Sequence, residues 1–248
     1  MKKNFFLKYS VITIISATMI ILTIILFIKV SSTLNAPQNF DFGAVAEHSR
    51  NALNNSLTIP DETVMLLISP DGNEENVRKT LELVKSTSDE ICRGIDSEYD
   101  KLYAISQWVS RNFYYDYDAS ESSVTEENIA ISSVLETRRT VCLGFANLYA
   151  ALCQAQGIDC RVVHGVAAAV GTFDATNGEG EIHEWNVAII DGKTIWVDSL
   201  WNTSNSYRDG VYEDGNIIEK YFDISDEMLA RNHRADRVDI RNYFSVPD

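Results

Sequence analysis

Cys142, His183 and Asp198 are the three side chains of this chain whose types and spacing fit one piece of chemistry. A thiol that loses its proton attacks a carbonyl carbon and forms a thioester. An imidazole takes that proton and later returns it to the leaving amine. A carboxylate fixes the imidazole's tautomer and orientation. A cysteine on an apolar helix is ordinarily just a small hydrophobe, so the reading depends on whether the base and the carboxylate can reach it.

The elements that must carry these residues are legible. Thr140 to Gly157, TVCLGFANLYAALCQAQG, has a helical period that puts Cys142, Phe145, Tyr149 and Leu152 on one face, with Ala146 and Cys153 beside them. Gly157 follows as a C-cap. Cys142 then sits in the first turn, where free N–H groups and the helix dipole favour a thiolate and offer an oxyanion donor. HEWNVAII and KTIWVDSL flank Asp191-Gly192, a strong two-residue hairpin signal. With that turn, Ile190 opposes Lys193. His183, Trp185, Val187 and Ile189 then share a face with Thr194, Trp196, Asp198 and Leu200. His183 and Asp198 become diagonal neighbours, about 7–8 Å apart, which their side chains can bridge. This face is apolar and is expected to pack on the Cys142 helix.

The other candidates carry less. His164 lies in a strand-like run, IDCRVVHGVAA, as a core or surface residue; His233, in the helix-like ISDEMLARNHR, has a structural role; His48 lies in a polar stretch. Cys92, Cys153 and Cys160 lack zinc-site spacing and are taken as core thiols. No EF-hand pattern appears, so no cofactor and no metal are expected.

The 248 residues carry 45% hydrophobic and 23% charged residues, as in an ordinary globular protein. Residues 1–30 hold four lysines and no acid, which leaves 17 basic against 36 acidic residues, or −19, in the remainder. Such a domain repels phosphate backbones, so nucleic acid is not an expected partner. Residues 9–28 are uncharged between Lys8 and Lys29, and that length spans about 30 Å as a helix. Lys2, Lys3 and Lys8 keep the N-terminus cytoplasmic, so the expected order is a stub (1–8), an uncleaved transmembrane signal anchor (9–28), a polar tether with at most a short helix (29–60), and one extracellular domain (61–248). Within that domain, 63–69 reads as a strand, 77–95 and 102–113 as amphipathic helices, 128–137 as a short helix, and 171–182 as a glycine-rich loop.

With Cys142 in TVCLGFANLYAALCQAQGI, His183 in HEWNVAI and Asp198 in IWVDSLWN, the chain resembles the transglutaminase-like superfamily of papain-like cysteine enzymes over roughly residues 75–235. KLYAISQWVSRNFYYD and YFDISDEMLARNH resemble flanking segments of bacterial members. Thr140 stands where the family usually has glycine. The resemblance implies an α+β fold, with the nucleophile helix on an antiparallel sheet and Cys142, His183 and Asp198 as catalytic residues. It also implies acyl transfer or hydrolysis at peptide or isopeptide amide bonds, acting on protein or cell-wall peptide substrates. The alternative is a non-catalytic binding module of the same fold at the cell surface.

Overall fold

Two helices build the wall behind the central one, and both start where the sequence provides a cap. The computed structural model describes residues 41–168 and 180–245. The expected membrane span at 9–28 lies outside them, as does most of the 171–182 loop. Among the described residues, no helix is long and apolar enough to cross a membrane. The compact unit begins at Asp41 rather than at residue 61. Helix α1 (Phe42–Asn54) buries Val45 and Ser49, and strand β1 (Leu57–Thr58) pairs with a late strand, so this part of the expected tether belongs to the folded body.

Residues 63–69, expected as a strand, instead lie in helix α2 (Asp61–Ile68) and its C-cap at Ser69. Pro60 precedes it, Asp61 and Glu62 occupy its first turn, and Val64 and Ile68 are buried one turn apart. A short apolar run does not by itself separate strand from helix, and here the acidic first turn decides. Asn73 caps α3 (Glu74–Ile91), accepting from the N–H groups of Glu75 and Asn76; Val77, Thr80, Val84 and Ser88 form its buried stripe. Ser97 caps α4 (Glu98–Asn112), which buries Leu102, Ile105 and Val109. Strand β2 (Tyr114–Asp116) is followed by short helices α5 (Tyr117–Glu121), α6 (Glu126–Ile129) and α7 (Ile131–Thr137), then β3 (Arg139–Thr140).

Helix α8 (Cys142–Gln154) is buried from Gly144 through Cys153. A helix apolar on every side belongs in the middle of a core, and α8 packs between α3 and α4 on one side and strands β4 (Asp159–Ala167) and β5 (Glu181–Ile190) on the other. Leu148, Tyr149 and Leu152 are fully buried against Val84, Leu102, Cys160, Val162 and Ala188, each apolar side chain contributing about 1.5–3 kcal/mol. Gly157, at φ +78°, lets the chain leave the helix in a conformation other residues resist, two residues beyond the cap at Ala155.

The remaining strands are β6 (Lys193–Val197), β7 (Ser206–Arg208), β8 (Val211–Glu213), β9 (Phe222–Ile224) and, after helix α9 (Asp226–Leu229), β10 (His233–Ile240). The main sheet runs β1-β10-β4-β5-β6-β9, antiparallel apart from the β1–β10 pair. A smaller sheet runs β3-β2-β7-β8. The hairpin forms as expected: Ile190 faces Lys193 and Asn186 faces Val197, with Asp191 and Gly192 both at positive φ.

The packing of that hairpin differs from expectation. Asn186, Ala188, Ile195 and Val197 face α8, whereas Trp185, Val187 and Trp196 face away, into a second core with Tyr221, Ile224, Leu229 and Val238. Both faces of the sheet are covered, so an apolar face did not identify which one meets the helix.

Candidate active site

Cys142 is the first residue of α8, after an extended Val141. Its Sγ donates to Glu184 Oε2 at 2.8 Å, and among the described residues no hydrogen bond joins it to His183. This overturns the expectation of a resting thiolate. Burial first, then the Glu184 charge and its hydrogen bond, push the thiol far above its usual range. Backbone N–H groups of Glu184 and Leu143 act the other way and lose. A helix start carries about half a positive charge, which a full negative charge in contact with the sulfur outweighs.

His183 and Asp198 do meet. His183 Nε2 lies 2.7 Å from Asp198 Oδ2, and both residues are buried. β6 ends at Val197, so Asp198 is not held in the ladder: its N–H donates to Tyr221 O at 2.8 Å, and its Oδ1 accepts from the N–H of Trp201 at 2.9 Å. These bonds turn the carboxylate to the ring. Among the described residues His183 Nδ1 has no hydrogen-bond partner.

Sequence reasoning missed the third member of this group. His233, fully buried at the start of β10, places Nε2 3.1 Å from the same Asp198 Oδ2, and its Nδ1 is 2.7 Å from Asn232 Oδ1. The ring packs among Trp185, Trp201 and Tyr221, with centroids 4.9, 4.5 and 6.1 Å away. Burial lowers the pKa of His233 despite the carboxylate. Burial also opposes the Asp198 charge, but the two imidazoles outweigh it and hold the carboxyl well below the usual range. Gly165 lies between His183 and Ala235 in the sheet, and a Cβ there would collide with Arg234 O and the Trp185 ring.

Glu184 was also missed, although alternation along β5 places it on the face opposite His183. Its Oε1 is 3.4 Å from His164 Nδ1, and His164 Nε2 is 2.8 Å from Asp239 Oδ2. Arg241 Nη2 binds the same Asp239 oxygen at 3.0 Å, and Arg237 Nε lies 3.0 Å from Oδ1. Burial opposes ionisation of both Glu184 and Asp239, yet His164 and its neighbours hold both carboxyls low, Asp239 at about 2. Burial would lower His164 too, but bonds to Asp239 and Glu184 raise it.

Cys142 and His183 open onto one cleft of about 620 Å³, lined also by Tyr115, Tyr117, Glu181, Trp201 and Asn205. The ligand atoms of His183, Asp198 and His233 lie within 4.8 Å of one another, the one such group among the described residues. The direct bonds between the rings and the carboxylate account for that closeness without an ion. Cys92, Cys153 and Cys160 are free, buried thiols.

Residues 85–199, which contain Cys142, His183 and Asp198, match the transglutaminase-like superfamily. That segment is similar to transglutaminase-like domains. The chain is 28% identical over 108 residues to kyphoscoliosis peptidase of Mus musculus, and 27% identical over 108 residues to that of Homo sapiens. Each match covers 43% of this chain and 16% of the relative, so the matched segment corresponds to a small part of those proteins. A TGase crystal structure aligns at 22% identity with a TM-score of 0.42, over 55% of this chain and 35% of the other.

Proposed function

We propose that the chain is a membrane-anchored, extracellular cysteine enzyme that cleaves or transfers the acyl group of peptide or isopeptide amide bonds through a Cys142 thioester. The observation that carries this reading is the opening of Cys142 and a carboxylate-held His183 onto the same cleft.

The thiol turns from Glu184 towards His183 and gives its proton to Nδ1, while Nε2–H stays bonded to Asp198. The sulfur attacks the amide carbon, and the N–H of Cys142 at the helix start is a donor for the oxygen that becomes negative. The C–N bond breaks as the imidazolium protonates the departing amine. Water then attacks the thioester and gives acid, or an amine attacks and gives a new amide; His183 takes the nucleophile's proton and returns it to sulfur. Water needs no second binding site, so hydrolysis is the less demanding outcome.

Protein or cell-wall peptide is the substrate class, and residues 9–28 supply the anchor. The bond between Cys142 and Glu184 favours a second reading, a binding module that never forms the thiolate. Fluorescein-labelled casein, with and without dansylcadaverine, separates the cases: shortened casein indicates hydrolysis, label incorporated into casein indicates transfer, and neither indicates the binding module. An N-terminal sequence beginning near residue 37 in the mature protein would remove the anchor.

A further inference from the structure

We propose that Glu184 is a positioning residue that holds the Cys142 thiol off His183, so that the nucleophile forms only when the thiol turns from carboxylate to imidazole. The inference rests on Cys142 being the nucleophile. It starts from alternation: His183 and Glu184 point to opposite faces of β5, and at this end of the sheet the start of α8 meets the Glu184 face. Sγ donates to Oε2 at 2.8 Å, and Glu184 is not free to swing away. Its side chain is 12% exposed, and its other oxygen is tied to His164, which is tied in turn to Asp239.

The charged and titratable groups that face Glu184 come from every packed element. Cys142 lies on α8, His164 on β4, and His183 is its neighbour on β5; behind His164, Asp239 on β10 is bound by Arg237 and by Arg241 just after the strand. Tyr115 on β2 lines the cleft beside the thiol. A buried carboxylate backed by imidazole and guanidinium keeps its charge, and that charge opposes any thiolate left in contact with it. Activation therefore moves one proton from sulfur to His183 Nδ1 and leaves Glu184 unchanged.

The test is the rate of iodoacetamide alkylation of Cys142 in the full chain, followed by mass spectrometry from pH 5 to pH 10. Glu184→Gln keeps the shape and removes the charge. It should react about tenfold or more faster than wild type at pH 7, with the midpoint of its profile at lower pH. Glu184→Asp, which withdraws the carboxylate from the sulfur but keeps its charge, should also react faster and covers the case in which Glu184→Gln does not fold. Rates and midpoints equal to wild type in whichever variant folds would overturn the proposal. Casein turnover by Cys142→Ala separates the two claims: its loss alongside unchanged alkylation in the Glu184 variants sinks the positioning role and leaves the nucleophile standing. If Cys142→Ala keeps wild-type turnover, the nucleophile and the role built on it both fall.

Discussion

The side chain of Thr140 fills the space that a Cβ on Gly144 would occupy. Thr140 is buried, donates through Oγ1 to Asn128 O, and stands two residues before Cys142. Thr140 is therefore a side chain that needs a glycine one helical turn later. Gly144→Ala should cost about 1–3 kcal/mol by overpacking. Combined with Thr140→Gly, the loss should be smaller than the sum of the two single losses by about 1 kcal/mol or more. Urea unfolding of the four proteins checks this; additive losses would mean that the two positions are not coupled.

Asp198 serves two rings, and its two partners should respond differently to mutation. Asp198→Asn keeps the size but mis-orients His183, and should lower turnover by on the order of 10³–10⁴. His233→Ala empties a fully buried site behind the carboxylate and should cost about 3 kcal/mol of stability. It leaves the His183–Asp198 bond in place, so turnover should fall less than in Asp198→Asn. Casein turnover and urea unfolding of both variants measure the split; a larger turnover loss in His233→Ala would make His233, not Asp198, the controlling partner.

The chain Glu184–His164–Asp239 has a signature in stability against pH. His164 is raised in the folded state by its carboxylate partners, so its contribution is full below the unfolded value of about 6.5 and is lost as pH rises through the higher folded value. The gap in unfolding free energy between wild type and His164→Asn should therefore be largest at pH 6 and shrink towards pH 9. A gap that is constant or widens with pH would show that His164 is not held charged.

Cys142→Ala should leave the fold nearly untouched, within about 1 kcal/mol, because Glu184 keeps His164 when the thiol is gone. Thermal unfolding of the variant against wild type measures this. A loss of several kcal/mol would instead make the cysteine part of the structural core.

What the sequence revealed and what it hid follow from how far apart the partners lie. The helix from Cys142 and the hairpin at Asp191-Gly192 are local patterns, and so was the nearness of His183 to Asp198. His233, Asp239 and Arg241 reach the site only through the pairing of β10 with β4, which no local pattern encodes. Glu184 was legible, since alternation alone sets it opposite His183, but it mattered only once the sheet face meeting α8 was known. That face was misread because both sides are apolar: Trp185 and Val187 fill one core, Ala188 and Val197 the other.

The most direct test of the account is turnover of labelled casein, as fragments or as incorporated amine, by wild type and by Cys142→Ala, with Cys92→Ala as the control at a buried thiol. The account predicts turnover in wild type and Cys92→Ala, and a fall of about 10³ or more in a folded Cys142→Ala. Turnover that survives in Cys142→Ala, or a wild type inert in both assays, would contradict it.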